Sequence, residues 1–423
     1  MRKSTICGLI IVLALALFSA NPTLAQQSHS RTLKAHVMVP QSSVEKPSDI
    51  GVNAHTHLRI LMPANGNFGL SAQPAELPPF PGVFFETPAS IACVYHLVRN
   101  PNPGCNPDTT TENPSGGGGA IALVDAFDDP TAAQDLAAFS AQFGLPNADF
   151  TVVYAAGTQP KIDPTGGWEI EESLDIEWAH AMAPKAKIFL VEAPSQRLGD
   201  LFAAAELAAT IVAANGGGEV SMSFGTSEAT VETQIDPIFT TPGVVYIASS
   251  GDSAGTSYPS TSPNVLSAGG TTISRDADTG RFLLENTWQD AGGGPSEVEP
   301  RPSFQNGVAQ TVGPTRGTPD LSFDANPATG VWVFDSNPVF GTGWFVVGGT
   351  SVSSPSLAGI INSAGRFSAS TQAEAHEIYR QMGNEFAFRD IVYGNCGLNI
   401  GDFAGFGWDF CTGVGSPRTL RGK

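Results

Sequence analysis

From Gly119 to Ser249 the chain alternates short apolar runs with longer stretches whose apolar residues recur at helical spacing, an order that few folds accept. Ala120-Ile121-Ala122-Leu123-Val124 is a continuous apolar run, as suits a strand buried on both faces, and Pro130 to Phe143 then follows a helical period. The same reading predicts strands at Thr151–Ala155, Lys187–Glu192, Glu219–Phe224 and Val244–Ser249, with helices at Trp168–Met182 and Leu198–Ala214 between them. Such alternation implies an α/β fold with a mostly parallel sheet covered by helices on both faces. Sites in these sheets form at the carboxyl ends of the strands, in the crevice the loops leave. The Gly-rich runs at 116–119, 216–218 and 292–294 hold neither a phosphate-loop nor a dinucleotide fingerprint after a strand, and read as loops.

Charge excludes one large class of partner. The 423 residues carry 21 Lys plus Arg against 40 Asp plus Glu, a formal charge of −19, and no basic run exists beyond Arg2 and Lys3. Phosphate backbones are held mainly by clustered Lys and Arg, so no nucleic-acid partner is expected. Hydrophobic residues make up 41% of the chain, enough for a large core, so global disorder is excluded.

Residues 1–25 open on Met-Arg-Lys, run apolar from Ile6 to Ala20 and close on Thr23-Leu24-Ala25, the pattern of a cleaved secretory signal. An exported protein, extracellular or periplasmic, is therefore expected, with no membrane association after cleavage. Cys93, Cys105, Cys396 and Cys411 then remain, and an even count in an exported chain suggests disulfides with three possible connectivities. Local pairing, Cys93 with Cys105 and Cys396 with Cys411, is the simplest of the three. Residues 26–83 hold four of the seven His, including His55-Thr56-His57, with no acidic partner at a metal-binding spacing; they read as an N-terminal extension or short pro-segment.

The segment richest in chemistry is Gly348-Gly349-Thr350-Ser351-Val352-Ser353-Ser354-Pro355. Strand-like Phe345-Val346-Val347 leads through two glycines into a helix whose first turn is expected to hold Pro355. A serine at that junction exposes its hydroxyl and its backbone N–H to the same space, which suits a nucleophile and an oxyanion donor together. A second segment, Trp168 to Met182, places Glu171, Asp175, Trp178 and Met182 on one helical face. Two carboxylates on an inward face raise at least one pKa, giving a Glu able to act as base toward a Ser. Glu169, Glu172 and Glu177 lie off the stripe and are expected to be solvated.

The Gly-Thr-Ser-x-x-x-Pro segment resembles the nucleophile motif of the subtilisin clan, yet no His here stands in the His-Gly-Thr context a subtilisin needs. Combined with the acidic helix, it resembles the sedolisins, the serine-carboxyl peptidases, over roughly residues 84–418. The resemblance implies a subtilisin-like three-layer α/β fold, with Ser351 as nucleophile, Glu171 as general base and Asp175 as its support. It also implies that Asp252, in Ser250-Gly251-Asp252-Ser253-Ala254-Gly255, donates a hydrogen bond to the oxyanion when protonated. In the C-terminal region Asp390-Ile391, Gly405-Phe406-Gly407 and Asp409 look like the family's structural calcium site, which implies one Ca2+ held by the two carboxylates and the carbonyls of Ile391, Gly405 and Gly407.

Two departures stand out: Phe224 replaces the Trp of the family's Ser-x-Ser-Trp-Gly segment, and Asp125 occupies a strand end as an additional acid behind the pair. About 60 residues between Ala25 and the region of similarity are too few for the long folded propeptide of the family, which leaves open how activity is held off. The expectation is an acid-active endopeptidase, monomeric, acting on proteins or peptides. A neutral subtilisin-type enzyme using Asp125, a His and Ser351, and a non-enzymatic binding protein on the same scaffold, are the alternatives.

Overall fold

The computed structural model describes residues 35–63, 77–79, 82–397 and 402–422; the expected signal segment lies outside them. Three short strands come first, β1 (Ala35–Met38), β2 (His55–Thr56) and β3 (Arg59–Pro63). The apolar runs then form β4 (Ala120–Ala126), β5 (Asp149–Tyr154), β6 (Lys187–Ala193), β7 (Gly218–Met222), β8 (Phe224–Gly225) and β9 (Val244–Ser249). With β10 (Leu266–Arg275) and β11 (Phe282–Thr287), all but β8 join one sheet of order β11-β10-β9-β7-β4-β6-β5, to which β12 (Leu321–Asp324) adds on β10. Only the β10–β11 pair is antiparallel within it. A second sheet, β1-β3-β14-β13, is built from β13 (Val331–Asn337) and β14 (Gly341–Gly348) with the N-terminal strands.

Helices α2 (Gly167–Met182) and α4 (Thr350–Ser363) cover one face of the central sheet, with α1 (Ala132–Phe143) packed on α2, and α3 (Leu198–Ala214) covers the other face. Alternate residues of β4 serve the two cores: Ile121 and Leu123 pack with α2, while Ala120, Ala122 and Val124 pack with α3. That two-sided demand is why the strand reads as an unbroken apolar run. The architecture is the expected subtilisin-like α/β arrangement. Both local disulfides are present, Cys93–Cys105 and Cys396–Cys411. Among the described residues no helix is long and apolar enough to cross a membrane.

Two expectations are corrected. All sixteen residues of α2 are buried, including Glu169, Glu172 and Glu177, because β13 and helices α1 and α4 cover the side of the helix that the sheet does not. Helix α4 starts at Thr350, so Pro355 sits in its second turn. Proline has no N–H to give the carbonyl four residues back, that of Ser351. The Ser223 hydroxyl, whose shorter contact is to Asp175 at 2.7 Å, lies 3.3 Å from that carbonyl.

Helices α2 and α4 meet at Gly359. A Cβ there would lie 2.6 Å from the Met182 Cβ and 2.9 Å from the Ala179 carbonyl, so only glycine lets the helices approach this closely. Gly359→Val is expected to lower the unfolding free energy by about 1–3 kcal/mol through overpacking, despite a small gain in helix propensity. A urea denaturation midpoint equal to that of the unsubstituted chain would contradict this contact.

Candidate active site

Ser351 lies on the first turn of α4, just after Gly349, which adopts φ +102°. A side chain at Gly349 would collide with the His57 carbonyl oxygen and approach Asp252 Oδ2 to 2.7 Å, so the left-handed turn and the crowding both demand glycine. The Ser351 N–H donates to the His57 carbonyl at 3.0 Å, and its Oγ lies 3.1 Å from the His57 nitrogen and 3.2 Å from the Ser223 carbonyl. Ser351 is fully buried.

Behind the serine lies a row of acids. Glu171 and Asp175, one turn apart on α2, are fully buried, and Asp125 at the end of β4 joins them. Burial raises Glu171 and Asp175 well above the usual carboxylate range, the charge of Asp125 adding to both and that of Asp175 adding to Glu171, and burial pushes Asp125 up to about 8. Two hydroxyls favour a negative charge in this row. Ser351 lies near enough to lower the pKa of Glu171, and Ser223 sits 2.7 Å from Asp175 Oδ1. Among the described residues neither Glu171 oxygen is held by a hydrogen bond of ordinary geometry, so Ser351 approaches the base without being locked to it. Phe224, where the sedolisin motif has Trp, packs its ring 6.4 Å from that of Trp168.

Asp252 follows β9 and faces the same point from the other side. Its Oδ1 accepts from the Thr350 N–H at 2.7 Å and from the Thr350 hydroxyl at 3.0 Å, while among the described residues Oδ2 accepts no hydrogen bond and faces Arg59. Burial raises Asp252 to about 6, held back by the Arg59 guanidinium 3.5 Å away. Glu171, Asp175, Asp252 and Ser351, expected to act together, are thus brought together.

The residues expected around a cation also converge. Asp390 Oδ2 accepts from the Gly407 N–H and Asp409 Oδ2 from the Gly405 N–H, each at 3.0 Å. Asp409 Oδ1 accepts from the Cys411 and Thr412 N–H groups at 2.9 Å, and burial raises Asp409 to about 6. Asp390 and Asp409 thus bring two carboxylates from separate segments to the Gly405–Gly407 loop, donor chemistry of the kind that suits a hard cation. Elsewhere, Asp129, Asp135 and Asp335 each bring one oxygen within 4.8 Å of the others in a buried group that the sequence reading did not single out.

The sequence reading also missed the contribution of residues 55–61. Alternation of apolar Leu58 and Ile60 with polar His57 and Arg59 is a strand signal, but nothing in it points to the site.

No protein-family model matches the chain. It is 30% identical over 403 residues to kumamolisin of Bacillus sp. (strain MN-32), covering 87% of this chain and 67% of kumamolisin. It is 34% identical over 181 residues to sedolisin of Pseudomonas sp. (strain 101), which covers 39% of this chain and 29% of that protein. A solved structure of Pseudomonas sedolisin, a serine-carboxyl proteinase complexed with pseudo-iodotyrostatin, superposes with a TM-score of 0.64 at 23% identity, covering 79% of this chain and 96% of that one.

Burial makes stability depend on pH in a definite direction. Asp252 rises to about 6, and Asp125 and Glu169 to about 8, so between pH 4 and 8 the folded chain binds more protons than the unfolded one. Their stabilisation is complete below the unfolded carboxylate values near 4 and is lost as pH rises through the folded values. The denaturation midpoint is therefore expected to be higher at about pH 5 than at about pH 8, and the opposite order would mean that these groups are solvated.

Proposed function

The chain belongs to the sedolisin family of serine-carboxyl peptidases, and from that premise we propose that it is an acid-active endopeptidase working through an acyl-enzyme on Ser351. One observation carries the reading: the Ser351 N–H and hydroxyl, the Glu171 carboxyl and the Oδ2 of Asp252 all face one buried point. Glu171 takes the Ser351 proton as Oγ attacks the substrate carbonyl, and returns it to the leaving amine. Asp175 and Asp125 share the charge of that proton path. The Ser351 N–H and protonated Asp252 hold the oxyanion, a task an ionised carboxylate cannot perform. Ser223 ties the parts together, since its hydroxyl lies against both Asp175 and the carbonyl of Ser351.

Substrates are proteins or peptides, and the enzyme acts as an exported monomer. The two disulfides support export, since such bonds persist in oxidising compartments. Asp390, Asp409 and the carbonyls of Ile391, Gly405 and Gly407 hold one Ca2+, which supplies a crosslink between the two segments and takes no part in the chemistry.

Casein hydrolysis at acid pH is expected, and Ser351→Ala and Glu171→Gln should each lower kcat/KM by at least ~10³-fold. Activity should fall as pH rises through about 6, where Asp252 loses its proton. A Glu171→Gln variant as active as the unsubstituted chain, or an optimum at neutral pH, would sink the mechanism.

Removing calcium with a chelator is expected to lower the melting temperature by several degrees, with Asp409→Asn reproducing the loss and abolishing the response to added Ca2+. A melting temperature indifferent to chelator would remove the ion from the account.

A further inference from the structure

One group of buried acids has no part in the chemistry of Ser351. Asp129 follows β4, Asp135 lies in the first turn of α1 and Asp335 on β13, and each brings one carboxylate oxygen within 4.8 Å of the other two. Helix α2 runs beside them. Its Ser173 and Glu177 stand two residues on from Glu171 and Asp175, about 200° around the helix, so they occupy the side away from that pair. The Ser173 Oγ lies 3.5 Å from Asp129 Oδ2 and 3.5 Å from Asp335 Oδ1. Glu177 Oε2 accepts from the N–H of Phe334, next to Asp335, at 3.1 Å. Asp135, Ser173, Glu177 and Asp335 are fully buried and Asp129 nearly so.

Acids packed together can simply share protons. Two features indicate an ion instead. Glu177 Oε1 is fully buried and accepts no hydrogen bond among the described residues, and the charges that bear on it are those of Asp135, Asp335 and Asp129. Asp335 Oδ2 likewise accepts no hydrogen bond of ordinary geometry, and no described Lys or Arg forms an ion pair with any of the four carboxylates. The second feature is spacing. The 3.5 Å contacts of Ser173 are long for an O–H···O bond, which centres near ~2.8 Å. Two oxygens ~2.5 Å from one Ca2+ and at a right angle would stand ~3.5 Å apart, whereas around Mg2+, at ~2.1 Å, they would stand ~3.0 Å apart. The outer oxygens are held in place. Asp129 Oδ1 accepts from the Thr131 N–H at 2.8 Å and its hydroxyl at 2.9 Å, and Asp135 accepts from the Ser336 N–H at 2.8 Å and its hydroxyl at 2.7 Å, contacts that orient both carboxylates as supporting groups orient metal ligands.

We propose that Asp129, Asp135, Glu177, Asp335 and the Ser173 hydroxyl form a site for one Ca2+, distinct from that of Asp390 and Asp409, and that this ion clamps α1 and β13 onto the back of the helix carrying Glu171 and Asp175. With Asp335 binding through both oxygens, the five residues supply six donors, within the ~6–8 that Ca2+ takes. The ion holds the helix from behind and takes no part in the proton path. At this end of α2 a cation meets the negative charge that protons meet elsewhere along it. Because its ligands are closed to solvent, the ion exchanges only when the fold opens. A chelator added to the folded chain therefore empties the other site, where Asp390 is exposed, and leaves this one filled.

The test is metal content, read by mass spectrometry on full-length Ser351→Ala chains purified in Ca2+ at neutral pH, so that peptidase activity does not enter. Two Ca2+ per chain are expected, one after a chelator is added to the folded protein, and none after chelator with urea. Adding Asp409→Asn should leave one Ca2+ that survives the chelator. Adding Asp335→Asn instead, in a chain shown by circular dichroism to be folded, should remove that ion and keep the labile one. An Asp409→Asn chain that emerges from the chelator with no metal, or with any metal other than Ca2+, would overturn the inference whether or not Asp335→Asn folds. So would an Asp335→Asn chain that keeps a chelator-resistant Ca2+. A single resistant Ca2+ in the Ser351→Ala chain, lost in Asp335→Asn, would uphold this site and strike the ion from Asp390 and Asp409.

Discussion

Everything in this molecule depends on an acidic helix lying in the core without cations. Helix α2 buries Glu169, Glu171, Glu172, Asp175 and Glu177, and among the described residues no Lys or Arg forms an ion pair with any of them. An ionised carboxylate in such surroundings costs several kcal/mol, so this row holds protons more tightly than solvated acids do, and Ser351 and Ser223 favour what charge remains on Glu171 and Asp175. Protons do here what basic side chains do elsewhere, and the composition follows: 14% of residues are charged, against about 25% in typical domains. In acid the surface carboxylates also lose charge, and a chain with few bases then escapes the positive self-repulsion that would unfold it. The helix has to be deep because its partner is. Gly359 lets α4 close on α2, and that approach sets Ser351 against Glu171.

Much of the frame was legible because its signals are local. Val244–Ser249 and Leu198–Ala214 have the predicted bounds, since a strand covered on both faces and an amphipathic helix advertise themselves residue by residue. Ser351 was legible through the two glycines before it, one of which needs a left-handed φ. The solvation of Glu172 and Glu177 was not. Whether the outer side of a helix meets water depends on what lies over it, and the cover on α2 comes from β13, more than 150 residues further along the chain. Pro355 misled for a similar reason: the Ser351 carbonyl it leaves unbonded has a polar neighbour, Ser223, from a distant part of the chain.

The closed cleft was the least legible feature. Residues 55–61 bind through backbone groups, to which every sequence contributes alike. Two strand edges, β8 and β14, stand apart across the nucleophile with N–H and C=O groups to satisfy, and an extended segment threaded between them satisfies both. A peptide substrate would be gripped by the same groups. A strand tethered in the same chain binds these edges without the translational and rotational entropy that a free peptide forfeits.

The two halves of that strand are not held equally. Beyond Leu58 the chain is part of the fold, since β3 lies between β14 and β1 in a continuous sheet and Leu58 and Ile60 are fully buried. Before it, His55–His57 hold to β8 by a two-residue ladder and the few side-chain contacts of Thr56 and His57. Arg59 sits on the firmly held half and fixes it to Asp252, so the positive charge beside the nucleophile is set by a strand that cannot leave without breaking the sheet.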